Sequence, residues 1–97
     1  MKLLWTWSGK FFGYLENDVL RTQDGRHVGQ LHDHEIYRPN GAYLGELMNE
    51  SRLISAIAKR NHRKHPFQPL PKICAIAGYA AYCGYSMYPD YEDFPML

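Results

Sequence analysis

The chain is poor in the residues that most enzymatic and metal chemistry draws on. It has two cysteines, Cys74 and Cys83. Nine positions apart, they make neither a CxxC redox pair nor a zinc pattern. Their expected state is the free thiol of a reducing compartment, and their expected role that of small buried hydrophobes. Serine is scarce, at Ser8, Ser51, Ser55 and Ser86, and no GxSxG or comparable frame surrounds it. The opening run Met1-Lys2-Leu3-Leu4-Trp5 is too short for a secretory leader, which points to a cytoplasmic protein. A net charge is missing too, with 11 Lys+Arg against 10 Asp+Glu over 97 residues, a length that allows one compact domain and a tail.

The balance hides a segregation. Residues 1–58 mix both signs, residues 59–72 carry Lys59, Arg60, Arg63, Lys64 and Lys72 with no acid, and residues 73–89 carry no charge at all before Asp90, Glu92 and Asp93. Sign asymmetry of this kind marks an interaction segment rather than a fold. The expected organisation is therefore a β domain over 1–58, a basic, proline-containing linker over 59–72, and an Ala/Gly/Tyr-rich C-terminal arm over 73–97.

What is present in the first part is a sixteen-residue period. Gly9, Gly25 and Gly41 are sixteen apart, as are Gly13, Gly29 and Gly45. Phe12, Val28 and Leu44 share a column, and Leu15, Leu31 and Leu47 another; Leu20 and Ile36 match, Leu53 joins them after one inserted residue, and Leu4 stands ahead of them. Asp24-Gly25 and Asn40-Gly41 between apolar runs are hairpin signals of the type I′ kind. The second glycine of each unit falls inside a strand, where it marks a bulge or a close backbone approach. Phe12 and Leu15 are three apart, so either a bulge turns both inward, the preferred reading, or the sheet has two buried faces. Strands are expected near 3–7, 10–16, 19–23, 26–32, 35–38, 42–48 and 51–57, with the second half of Ser51–Ala58 open between strand and helix. Such short links make an antiparallel meander of tandem hairpin repeats, all-β, and closure of the first strand on the last completes a fourth sector of a small barrel.

The strings Trp5-Thr6-Trp7-Ser8-Gly9-Lys10-Phe11-Phe12-Gly13-Tyr14, Asp24-Gly25-Arg26-His27-Val28-Gly29, Asn40-Gly41-Ala42-Tyr43-Leu44-Gly45-Glu46-Leu47 and Arg52-Leu53-Ile54 resemble the four-fold beta flower family of small bacterial proteins. The closing Tyr91-Glu92-Asp93-Phe94-Pro95 resembles tails of such proteins. The resemblance covers about the first 57 residues and implies a pseudo-four-fold ring of β-hairpins; it implies no activity. The inserted residue before Arg52 leaves the register of that turn open.

Beyond the repeat, Pro66-Phe67-Gln68-Pro69-Leu70-Pro71 is expected to be extended, near polyproline II. Tyr79, Tyr82, Tyr85, Tyr88 and Tyr91 recur every third residue, a stripe that an α-helix of period 3.6 would rotate around its surface. The alanines allow a short helix over about 73–82, while Gly84 and Pro89 oppose its extension. The uncharged run is short for a membrane span.

Histidines at 27, 32 and 34 lie near Asp33 and Glu35, and a pair two apart is a possible metal-ligand spacing. The repeat assigns His32 and His34 to tolerant turn columns and His27 to the column of Phe11 and Tyr43, so no metal site, cofactor or catalytic residue is expected. Trp5 and Trp7 project to one side of a strand as core or seam residues. Two functional expectations follow. The first is a non-catalytic binding or scaffolding module whose C-terminal arm docks a protein partner or a second copy. The second is weak, sequence-nonspecific nucleic-acid association through Lys59, Arg60, Arg63 and Lys64, with aromatic stacking in support.

Overall fold

A computed structural model describes residues 1–97. Seven strands follow one another around a closed ring: β1 (Lys2–Thr6), β2 (Phe11–Glu16), β3 (Val19–Thr22), β4 (His27–His32), β5 (Glu35–Tyr37), β6 (Tyr43–Met48) and β7 (Arg52–Ala56). Each pairs antiparallel with the next, and β1 closes on β7. That closing pair is parallel, with Trp5 opposite Arg52 and Thr6 opposite Leu53, so the barrel is mixed where a wholly antiparallel meander was expected. Parity explains the correction. In a meander of seven strands the first and seventh run the same way, so they can close only in parallel. The turn that holds the inserted residue takes part: Trp5 N–H donates to the Ser51 carbonyl at 2.9 Å and opens the closing ladder.

The bulges fall where the glycine columns predicted. Leu4 pairs with Gly13 but Trp5 with Phe11, which leaves Phe12 as the extra residue of β2. In the same way Val28 is extra in β4 and Leu44 in β6. An extra residue flips the side-chain alternation, so Phe12 and Leu15 both reach the interior. Leu4, Phe12, Leu20, Ile36, Leu44, Leu53 and Phe94 form the core, with Leu15, Val28, Leu31 and Leu47 packed against it.

Turn types divide between the two ends of the barrel. The pairs with positive φ at both central residues are Asn17-Asp18 (52° and 66°) and Asn49-Glu50 (53° and 63°), as a type I′ turn requires. The Asp-Gly and Asn-Gly turns differ from expectation. Gly25 alone is left-handed, at φ +91°, and its N–H reaches the Thr22 carbonyl while Thr22 N–H reaches Arg26. That is the three-residue loop that ends in a left-handed glycine. Thr22 Oγ1 holds the Arg26 N–H from inside the loop, which favours the wider turn over the two-residue one.

After β7 a 3₁₀ turn (Ile57–Lys59) leads the chain out, and residues 61–89 hold no helix and a single bridge, Ala42 to Arg63. The short helix allowed over 73–82 is absent; the segment is extended, and Ile73, Ile76 and Tyr82 give their N–H groups to barrel carbonyls. The chain returns as β8 (Tyr91–Asp93), antiparallel to β7, and Phe94 enters the core edge-to-face with Phe12 at 5.2 Å. The molecule is a thick disc, 35 × 32 × 19 Å. No helix is long and apolar enough to cross a membrane.

Candidate functional site: an extended strap on three glycine turns

The glycine turns Gly9, Gly25 and Gly41 lie at one end of the barrel, and the C-terminal segment runs across all three in reverse order. Lys64 N–H donates to the Gly41 carbonyl at 2.9 Å, Ile73 N–H to Gly25 at 3.2 Å, and Tyr82 N–H to Gly9 at 2.9 Å. Three residues on in each case a second bond follows: Phe67 to Pro39 at 2.9 Å, Ile76 to Gln23 at 2.9 Å, and Tyr85 to Trp7 at 3.0 Å. The acceptors step by sixteen residues along the barrel and the donors step by nine along the strap. The carbonyls of Lys64, Ile73 and Tyr82 sit where a Cβ on the corresponding glycine would be. Glycine at these turns thus serves both a left-handed backbone and the close approach of another chain segment.

Side chains from the outer wall of the barrel reach the strap on the same schedule. Trp5 Nε1 donates to the Ala80 carbonyl at 2.9 Å, and Arg21 Nη1 to the Pro71 carbonyl at 3.1 Å. Again the donors are sixteen apart and the acceptors nine. Trp7 Nε1 donates to the Ser86 carbonyl at 3.0 Å. His27 accepts the Leu70 N–H on Nδ1 at 2.9 Å, which leaves Nε2 to donate to the Gly29 carbonyl at 3.0 Å. Burial, with Arg21 nearby adding to it, holds the His27 imidazole below the usual histidine range, so the neutral tautomer that can accept this bond is favoured.

The tyrosine stripe acquires a physical reading here. A three-residue period is that of an extended, polyproline-like chain, in which every third side chain lies on one face. Tyr79 packs on Trp5 and Phe11, Tyr82 stacks on Trp5 at 4.2 Å, and Tyr85 and Tyr88 pack on Trp7 at 4.8 and 5.4 Å. Each ring remains about half exposed, from 47% to 53%, which makes the row a wall-backed aromatic ridge. Arg52, buried beneath it, places its guanidinium 4.2 Å from the Tyr85 ring. It donates to the carbonyls of Trp7 and Cys83 at 3.3 and 2.9 Å. A buried cation without a carboxylate is satisfied here by carbonyl oxygens and a π face. Cys74 and Cys83, expected inside, are exposed because they lie on the solvent side of the strap.

The basic residues expected to contact nucleic acid are distributed differently from a free patch. Lys59 bridges Glu35 at 2.7 Å and Glu46 at 3.0 Å. Its hydrogen bonds to those two carboxylates hold its ammonium well above the usual lysine range, and the same lysine holds the Glu35 carboxyl below its own. Tyr37 donates to Glu35 and Tyr43 to Glu46, so the lysine sits in a closed polar network. Burial pushes both phenols up. Arg60 pairs with Glu92 at 2.8 Å, and Lys64 stands over the Tyr37 ring at 5.3 Å. Arg63 is exposed beside Ala42. Two of the four cations are thus paired with carboxylates, Lys59 with the barrel's Glu35 and Glu46 and Arg60 with Glu92 of β8. Sequence reasoning missed Arg21, His27 and Arg52 as clamps. The nine-residue spacing of Cys74 and Cys83 was the visible trace of the strap's own period.

The fold and this site together define a closed all-β barrel bound by an extended segment of its own chain. No family model, curated protein or solved structure matches the chain.

Proposed function

We propose that the protein is a non-catalytic binding module, built as a four-fold beta flower, whose barrel is the scaffold and whose C-terminal arm is the contact element. The four-fold reading is supported by the bulged residues Phe12, Val28 and Leu44, sixteen apart, with Phe94, next after β8, entering the core beside them as the fourth. The binding reading rests above all on the aromatic ridge. Tyr79, Tyr82, Tyr85 and Tyr88 are half exposed, lie in an uncharged stretch, and are fixed by ring packing on Trp5, Trp7 and Phe11. Rigid, partly exposed tyrosines contribute contact area at low entropic cost, which is the character of interface anchors. The pairing of Lys59 and Arg60 with carboxylates favours this reading over nucleic-acid association.

The test places charge on the ridge without touching its stacks. Ala81, Ser86 and Met87 are exposed, and each is replaced by Glu in one chain. Near-ultraviolet circular dichroism should be unchanged. Self-association in sedimentation runs, and the set of proteins recovered from the native host with the tagged chain, should both be lost. If both persist in the triple variant, the arm is not the contact element.

A further inference from the structure

Neighbouring glycine turns leave notches between them. A cavity of about 300 Å³ lies between the Gly9 and Gly25 turns, lined by Phe11 and Phe12 of β2 and by Thr22, Gln23 and Asp24 where β3 runs out. Another of about 390 Å³ lies between the Gly25 and Gly41 turns, lined by His27 and Val28 of β4 and by Arg38, Pro39 and Asn40 where β5 runs out. The second set of residues is the first moved on by sixteen positions. The two cavities are thus one kind of notch built from different side chains, and each is a reference for the other. Arg26 and Leu97 line both.

Their charge differs. Asp24 of the first notch corresponds to Asn40 of the second, and Thr22 to Arg38, so an acid is lost and a cation gained at matching places. The change removes a turn bond. Thr6 and Thr22 each accept, on Oγ1, the N–H four residues on, from Lys10 at 3.2 Å and Arg26 at 3.3 Å. Arg38 has no hydroxyl for this, and Asn40 Oδ1 accepts the Ala42 N–H at 3.0 Å instead. Asn40 Nδ2 is left as a donor at the notch. Departures from a local rule concentrate at functional sites. Arg38 is also partly buried and has no carboxylate within ion-pair distance. The acids of the adjoining cavity, which Arg38 also lines, are committed elsewhere. Glu92 pairs with Arg60, and Asp93 Oδ1 accepts the N–H groups of Ser8 and Phe94. Arg26 holds Asp24 through Nε, and its Nη2 donates to the Leu97 carbonyl at 2.8 Å. His27 adds no donor, because its Nδ1 takes the Leu70 N–H and its Nε2 serves Gly29. Arg38 is therefore the free cation of the second notch, with the Asn40 amide beside it and Val28 and Pro39 as an apolar wall.

We propose that the notch between the Gly25 and Gly41 turns binds an oxyanion, the carboxylate or phosphate group of a small molecule, through Arg38 and the Asn40 amide. A guanidinium offers paired N–H donors in one plane, which match two oxygens of either group. A cavity of about 390 Å³ is in the range of small-molecule sites, and its apolar wall takes the stem that carries the anion. The site is separate from the tyrosine ridge, so its test and that of the ridge fail independently.

The experiment is an amide chemical-shift titration of the full-length chain with inorganic phosphate and, separately, with butyrate, at constant ionic strength. The amides of Val28, Asn40 and Ala42 should shift saturably, while those of Phe12 and Gln23 in the first notch should not. Arg38→Thr and Asn40→Asp each install the residue that the first notch carries. Each should weaken binding about tenfold or more, the first by removing a charge-assisted contact and the second by placing a carboxylate beside the guanidinium. Aspartate keeps the acceptor for the Ala42 N–H, so Asn40→Asp decides if Arg38→Thr does not fold. Saturable binding of either probe that these substitutions abolish supports the proposal, and the tighter probe names the group. Three results overturn it: no saturable shift with either probe, equal shifts in both notches, or binding that survives the substitutions.

Discussion

His27 holds the strap with a lone pair. Its Nδ1 accepts the Leu70 N–H, so protonation removes the bond and puts a cation beside Arg21 and under the Phe67 ring, 5.1 Å away. The folded imidazole titrates below its ordinary value of 6.5, chiefly because it is buried. The unfolded chain therefore binds a proton that the folded one refuses. The stabilisation from His27 is complete above about pH 6.5 and declines as the pH falls through that value toward the lower folded one. Urea midpoints measured from pH 8 to pH 5 should fall over this window. In His27→Gln, whose amide does not titrate, the fall should be smaller. Glu35 adds a second loss at more acid pH: its folded carboxyl is held down by Lys59, so its contribution is present above about 4.5 and disappears as the pH drops below.

Among the elements, β8 is short and leads straight into one deeply buried side chain. It has three residues, each only partly buried, and it is followed at once by the nearly fully buried Phe94. A three-residue edge strand is marginal by itself, so the ring of Phe94 against Phe12 and Gly45 adds its main buried anchor to the β7 ladder and the Arg60–Glu92 pair. Phe94→Ala should cost about 3–5 kcal/mol in chemical denaturation, the usual loss for a buried aromatic. It should also expose the amides of Ile57 and Tyr91 first in hydrogen exchange. The strands themselves were legible. The spans expected from alternation and turn residues agree with β1–β7 to within a residue or two, and the inward positions of Phe12 and Leu15 followed from a bulge. The path of residues 60–90 was not legible, for a definite reason. An amphipathic helix or strand advertises its buried face through side chains, but the strap is held by backbone N–H and C=O groups, which every residue has. Only the three-residue tyrosine stripe and the spacing of the two cysteines carried its periods. Arg52 escaped notice similarly, because its partners are carbonyls and rings rather than an acid at a readable spacing.

For the molecule as a whole, stability is layered. The barrel closes through a continuous ladder and a core of seven buried apolar residues, while the strap lies outside it, exposed over most of its length. Segments with few buried contacts open at lower free energy than the core. In rising urea the emission of Trp5 and Trp7, which stack on strap tyrosines, should change before the β-sheet circular dichroism is lost. The amides of Ile73, Ile76, Tyr82 and Tyr85 should exchange faster than those of Leu20, Ile36 and Leu53. A single coincident transition would mean that barrel and strap are one cooperative unit.

The placement of the girdling segment after the ring in the chain sets an order of assembly. A ribosome adds roughly 5–20 residues per second and domains tend to form in the order they emerge, so the last forty or so residues take about 2–8 seconds to make once β7 is finished. For that interval a nascent barrel has its glycine rim uncovered, and the carbonyls of Gly9, Gly25 and Gly41 face water until residues 64–85 arrive.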